Sequence, residues 1–300
     1  MRVNRYFYFQ LAIGLFLFCI IGIFINNLSV NLIRNKMGLS FTWLFQSAGF
    51  ALNEKAIPYK PSDTYAWALL VGWLNSLKVI TISLFFSTVL GLLAGASRFS
   101  KNFILRKISA LYVLIIRQIP LLLQLLFWYF VAFLNLSKTP FAPLGSVFSI
   151  SNKVIKILGV NFNIEFSALF LGLTIFTGAF IAEIIRGGLN SVPKGQWEGF
   201  RSLGINEYFG ISRIIIPQAL PAIIPGLTSQ YLNLAKNSTL AIAVGYADIY
   251  AVSDTSITQT GRAIEGFMIL LISFLLLNLL ISIFMEFINK AVIKNAKLNQ

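Results

Sequence analysis

The chain has 300 residues, 57% of them hydrophobic and only 11% charged, against about a quarter charged in a soluble domain. That balance excludes an ordinary water-soluble globular protein and points to an integral membrane protein. The net charge of +14 is carried by bases set between apolar runs, a pattern of membrane topology rather than of nucleic-acid binding. With no histidine and one cysteine, Cys19, the chain has no internal disulfide and no metal-ligand set. It also lacks the usual acid/base of a hydrolase.

Arg2 and Arg5 precede the first apolar span, Tyr8 to Ile25. The start resembles a signal peptide, but FINNLS is a poor cleavage site, so a retained helix is expected. Asn26 to Tyr65 is a long polar connection. Its apolar patch, Leu39 to Leu52, is too short to span and is expected at the interface or against the bundle. The second span, Ala66 to Ser97, contains Lys78, which must snorkel or find a partner. A dense basic loop follows, with Arg98, Lys101, Arg106 and Lys107.

The third span, Ile108 to Leu136, places Arg117, Pro120 and Gln124 at helical spacing on one face. Pro120 predicts a kink. The face reads either as part of a gate or as a kinked packing helix with a snorkelling arginine. Ser137 to Glu165 is a second polar connection with Pro140 and Pro143. The fourth span, Phe166 to Leu189, carries Glu183 and Arg186 near its end. The fifth runs from about Ala219 to Val244 and the sixth from about Ala263 to Ile288. Lys290, Lys294 and Lys297 form a basic tail. Bases in the short loops lie on the side of the termini, which predicts cytoplasmic N and C termini. The domains are then an extra helix with its outer loop over 1–65, a core over 66–290, and a tail over 291–300.

Between the fourth and fifth spans lies VPKGQWEGFRSLGINEYFGISRIIIPQALP, Val192 to Pro221. It is too polar and too broken to span. Gly195, Gly204 and Gly210 divide it into short helical pieces, each with an apolar side: Trp197, Phe200 and Leu203, then Tyr208, Phe209 and Ile211. Such helices are marginal alone and need a packing surface, from the chain itself or from a partner. The plain alternative is a solvated connecting loop.

Within the spans, Glu183 is a candidate for binding a substrate ammonium. Its alternative is an ion pair with Arg186 or with Lys236. Ser229, Asn233, Lys236, Asn237, Ser238 and Thr239 make a polar cluster in the fifth span, read as pathway lining, with Lys236 drawn to a carboxylate. Pro217, Pro221 and Pro225 are expected to bend the start of that span. Asp248 and Asp254 are expected on the outer side as solvated loop acids. A membrane-embedded enzyme would need Glu183 and Lys236 to converge on a closed pocket. No stretch matches a P-loop, so any ATP must be bound by another chain.

The 190–220 stretch resembles the EAA loop of permease subunits of bacterial ABC importers, through Glu198, Gly204 and the Ile215–Ile216–Pro217 close. GLTIFTGAFIAEIIRGGLNSVPKGQWE, LNLAKNSTLAIAVGYADI and LIIRQIPLLLQLLFWY resemble the polar amino-acid branch. The N-terminal span and the loop ending AGFALNEKAIPY resemble its broad-specificity L-amino-acid permeases. The resemblance implies an all-α type I importer permease of about six helices in the bacterial inner membrane. It implies uptake of polar or broad-specificity L-amino acids. Its partners would be an ATP-binding subunit dimer holding ATP and Mg, a homologous permease or second copy, and a periplasmic solute-binding protein. Trp197, Glu198, Gly199, Phe200, Gly204 and Pro217 would couple it to the ATPase, while the chain itself catalyses nothing. One departure is Gly199 and Phe200 where the family carries Ala-Ala-like residues; a helical Gly costs about 1 kcal/mol relative to Ala. The rival reading is an ion-gradient-driven secondary amino-acid transporter, which needs a paired set of broken helices; the sequence shows an interrupted helix start only in its second half.

Overall fold

A computed structural model describes residues 5–34, 38–135, 148–151, 154–157 and 159–298. It divides into two units, Met1–Trp43 and Leu44–Gln300. The first holds α1, Arg5–Arg34, a single helix whose apolar stretch Tyr8–Asn31 is long enough to cross a bilayer.

The second unit is a helical bundle. Its long helices are α2 (Tyr65–Ser97), α3 (Phe103–Gln118), α4 (Leu121–Leu126, continued by a π-type coil to Leu134) and α5 (Ile164–Asn190). Short α6 (Lys194–Ser202) and α7 (Glu207–Gly210) follow, then α8 (Ile216–Asn237), α9 (Ile249–Thr260) and α10 (Ala263–Leu298). Among the described residues five helices are long and apolar enough to span, six if the bent pair α3–α4 counts as one.

α2 and α5 form the central pair. Gly91 and Gly95 on α2 allow this, because a Cβ on Gly95 would lie 2.9 Å from the Ala182 carbonyl oxygen and from Ile185. Small residues at four-residue spacing let two backbones close up where lipid supplies no hydrophobic drive. Around the pair, Leu121, Leu125, Leu169, Leu173, Leu234 and Tyr246 make the main core.

The third span is not one kinked helix. The chain turns by 105° between α3 and α4, at Ile119–Pro120. Arg117 and Gln124 therefore do not share a face. Gln124 bends back, and its Nε2 donates to the carbonyls of Ile116 and Ile119, both at 3.0 Å. Those carbonyls lost their helical donors at the break, and the buried amide replaces them.

The second connection is not wholly irregular. Phe148–Ser151, Val154–Ile157 and Val160–Asn163 form an antiparallel sheet, β1-β2-β3, with Ile150 opposite Ile155 and Ile155 opposite Phe162. Ile150 and Ile155 are buried with Phe133, Ile164 and Ala168. Pro140 and Pro143 lie outside the described residues.

In the part of the first long connection's patch from Leu44 onward, Ala48 and Leu52 are buried and Phe45 is exposed. Lys78 finds its partner in that connection: Nζ is 2.7 Å from Glu54 Oε1. Asn163 Nδ2 donates to the other Glu54 oxygen at 2.9 Å. Buried Asn75 ties the same loop to the α8–α9 connection, donating to Glu54 O at 2.9 Å and to Ala247 O at 2.8 Å.

Candidate functional site

The stretch after α5 is folded, not a loose connector. Pro193 leads into α6, nine residues long. Gly204 ends it at φ +68°. Gly204 N–H donates to Arg201 O at 3.0 Å and Ile205 N–H to Phe200 O at 3.1 Å, the paired closure of a Schellman motif that a residue with a Cβ would strain. Asn206 then caps α7 through Tyr208 N at 2.8 Å. A π-type turn, Ile211–Ile215, runs without a break into α8, with Pro217 just beyond it.

Phe200 is buried, and its ring lies where a Cβ on Gly210 would sit. It joins Leu189, Val192, Ile215 and Ala219 in one cluster. The stretch is thus pinned to the ends of both α5 and α8. Trp197 is half-buried and stacks on Phe99 of the α2–α3 loop, centroids 5.8 Å apart and planes within 8°. Arg201 pairs with Glu207 at 3.1 Å and lies over Trp197 at 5.5 Å.

The apolar sides expected of these helices are split. Trp197, Phe200 and Ile211 turn inward, whereas Leu203 is 78% and Tyr208 82% exposed, with Phe209 beside them. The helix stops at Leu203, so helical spacing no longer places that residue with Phe200. Phe200, expected at a partner contact, is instead the inner anchor. Gly199 is exposed with open space around its Cα. Glu198 is exposed, and its carboxylate has no ion pair among the described residues. It borders a cavity of about 670 Å³ with Phe99, Lys101, Lys194, Trp197 and Glu207. Lys101 was placed in the basic loop from sequence, but Phe99 was not singled out; an aromatic inside a basic loop was the available signal.

Glu183 pairs with Arg186 one turn on, Nε to Oε1 at 3.0 Å, and not with Lys236. Glu183 borders a pocket of about 490 Å³ that also takes Arg117, Gln118 and Phe180, whereas Arg186 borders a neighbouring one. Arg117 lies over the Phe180 ring at 5.0 Å. A carboxylate and an arginine from two helices thus share one pocket.

The fifth-span cluster divides. Ser229, Asn233 and Lys236 are exposed at four- and three-residue steps, hence on one face of α8. Lys236 has no ion pair among the described residues. Asn237 is half-buried where α8 tightens into a 3-10 turn, Ser238–Val244. Ser238 is fully buried, its hydroxyl donating to Ala235 O at 2.8 Å, and Thr239 Oγ1 donates to Lys236 O at 2.8 Å. These two serve the change of helix type rather than an open face. Pro221 is exposed inside α8, which continues unbroken from Ile216 to Asn237; the sharp turn of the bundle is at Pro120.

Asp248 is not a solvated acid. It is fully buried and caps α9, accepting from Ala251 N at 2.8 Å. Its Oδ2 has no hydrogen-bond partner, and burial pushes the carboxyl up to about 7. Asp254 is exposed.

Residues 87–294 match the family model described as binding-protein-dependent transport system inner membrane component. A putative amino-acid ABC transporter permease protein of Escherichia coli, YhdX, is 33% identical, with 96% of this chain and 94% of the relative covered. The general L-amino acid transport system permease protein AapQ of Rhizobium johnstonii is 34% identical over 88% and 86% of the two chains. Among solved structures, an amino acid ABC transporter crystallised with histidines is similar at TM-score 0.60 and 26% identity, over 76% of this chain and 95% of that one. The inward-facing methionine transporter MetNI shares the fold at TM-score 0.59 and 21% identity, over 75% and 96%.

Proposed function

This chain belongs to the family of binding-protein-dependent transport system inner membrane components, and from that premise we propose that it is the permease subunit of an ATP-driven amino-acid importer. It is a multi-pass protein of the bacterial inner membrane. The substrate class rests on the relatives, whose names carry general L-amino acids and amino acids. The chain has no P-loop, so ATP and Mg belong to an ATP-binding subunit dimer. A second permease copy or homologue completes the pore, and a solute-binding protein delivers the substrate on the outer side.

The observation that carries the reading is the folded stretch over 190–220. Phe200 locks it to the ends of α5 and α8, while Glu198, Leu203 and Tyr208 are left free on the surface. A short helix fixed on one side and open on the other suits insertion into a groove of a soluble partner. A motion of that partner then reaches two spans through one cluster. Bases in the short loops at this end support its facing the cytoplasm.

On the spans, Glu183 and Arg117 offer opposite charges in one pocket, and Lys236 with Asn233 and Ser229 offers an exposed polar face on α8. These suit an ammonium and a carboxylate on one small solute. An ion-gradient transporter would call for matched broken helices. Among the described residues one helix pair is sharply bent, α3–α4, in the half opposite to where the sequence suggested an interruption.

Glu198→Arg tests the docking. The variant is expected to insert and assemble but to lose substrate-stimulated ATP hydrolysis in the reconstituted complex. Wild-type stimulation in that variant refutes the docking role.

A further inference from the structure

The cations between α2 and α5 are gathered, not scattered. Arg98, Arg106 and Lys107 line a pocket of about 300 Å³ with Arg186 of α5. Arg98 and Ala110 also border the pocket of about 490 Å³ that holds Arg117. The one carboxylate among the described lining residues of these two pockets, Glu183, is already paired with Arg186. Arg106 and Lys107 both lie over the Phe103 ring, at 5.8 and 5.5 Å. That contact orients the two cations without neutralising them.

α3 has two distinct sides. Arg106, Ala110, Val113 and Arg117 recur at helical steps and border the pockets. Ile104, Ile108 and Ile115 run along the opposite side, and Leu111 and Leu114 lie between the two, Leu114 at the border of the larger pocket; all five are exposed. A basic pocket beside an apolar helix face, where the spans end, fits an amphiphile with a negative head. We propose that the pocket binds the headgroup phosphate of an anionic phospholipid, its acyl chains lying along Leu111 and Leu114. Basic pockets between spans take such headgroups. The lipid would brace the α2–α3 loop, whose Phe99 stacks on Trp197 of the coupling stretch. Assigning it to the inner leaflet rests on the orientation proposed above.

Inorganic phosphate shares the chemistry of the head but not of the tails. The test is native mass spectrometry of the full-length chain in mild detergent. It is offered equimolar phosphatidylglycerol and phosphatidylcholine with identical acyl chains, then inorganic phosphate as competitor. Phosphatidylglycerol is expected to be retained in preference. Replacing Arg98, Arg106 and Lys107 together by Gln is expected to lower its retention at least ~10-fold, from the pull of each cation near a membrane surface. Replacing Lys290, Lys294 and Lys297 by Gln removes equal charge elsewhere and is expected to leave retention unchanged. Equal retention of the two lipids, equal loss in both triple variants, or displacement by millimolar phosphate overturns the proposal. So does loss of the co-purifying ATPase with lipid retention intact, which assigns the surface to that subunit. Orientation is read separately, by labelling Ser100→Cys with a membrane-impermeant reagent. A label from outside moves the site to the other leaflet and overturns the orientation alone.

Discussion

Phe200→Ala should detach the stretch over 194–213, proposed above to dock on the ATPase, while leaving its exposed residues unchanged. Phe200 is 2% exposed, and truncating a buried Phe to Ala costs about 3–5 kcal/mol. Of the other contacts on α6, the Trp197–Phe99 stack contributes about 0.5–1.5 kcal/mol beyond the area it buries. The helix has nine residues, too few to be stable alone, and Gly199 in its interior costs about 1 kcal/mol relative to Ala. The Arg201–Glu207 pair is 51% and 36% exposed on its two side chains, and such pairs contribute at most ~1 kcal/mol. The loss therefore exceeds what remains, and α6 should open locally while the bundle stays folded. Limited proteolysis should cut between Lys194 and Arg213 in the variant and not in the wild type. In the reconstituted complex, substrate should no longer stimulate ATP hydrolysis, although Glu198 and Gly204 are intact. Wild-type protease resistance together with wild-type stimulation would refute the view that Phe200 anchors the stretch.

Three further outcomes are expected. Gln124→Leu removes two hydrogen bonds to carbonyls freed at the α3–α4 turn, a loss of about 2–3 kcal/mol; a thermal midpoint in detergent within a degree of wild type would show that the turn does not need them. Asp248 binds its proton more tightly folded than unfolded, because its carboxyl is raised from 3.8 to about 7. Its stabilising contribution is therefore full below pH about 4 and lost as pH rises through about 7. Asp248→Asn keeps the cap acceptor without the titration, so wild type should lose midpoint relative to the variant between pH 5 and pH 8 (roughly the folded-state titration range), and parallel profiles would contradict the burial argument. Lys236→Met should lower amino-acid uptake with assembly intact, and unchanged uptake would leave the exposed face of α8 without a transport role.

Most of the fold was legible because the bilayer restricts the choices. A run of about 20 apolar residues has to be a helix, so the spans and the polar interruption after α5 could be placed closely. The turn at Gly204 was legible too, since glycine between two short amphipathic pieces has one common use. What stayed hidden depended on partners far away in sequence. Lys78 was seen to need a partner, but nothing local pointed to Glu54, 24 residues earlier. Pro120 signalled a bend. Its size, 105°, depends on Gln124 taking over two carbonyls, which spacing alone does not reveal. Asp248 looked like a loop acid because it stands outside the apolar runs, whereas the bundle folds over it. Phe148–Ser151 and Val160–Asn163 alternate apolar and polar residues, the period-two signal of a half-buried strand, which the sequence reading left unused. The spacing of Gly91 and Gly95 was a readable close-packing signal, and the sequence reading passed over it.

The site divides in the same way, and the division follows from how force can travel through it. Leu189 and Val192 at the end of α5 and Ile215 and Ala219 at the start of α8 meet in the cluster around Phe200. A displacement of α6 is thus delivered to α5 and α8 together. On α5 it passes to α2, because Gly91 and Gly95 leave no side chain to yield between the two backbones. At the other end of the bundle, the Glu54, Asn75, Lys78 and Asn163 contacts fasten α2 and the start of α5 to the loop before α2 and to the α8–α9 connection. Close packing transmits strain instead of absorbing it. Glu198 could be named because the 190–220 stretch resembles the EAA loop, in which an acidic residue stands at that place. The sequence could not name Phe200 as the anchor, because which aromatic turns inward is decided by where α5 and α8 end.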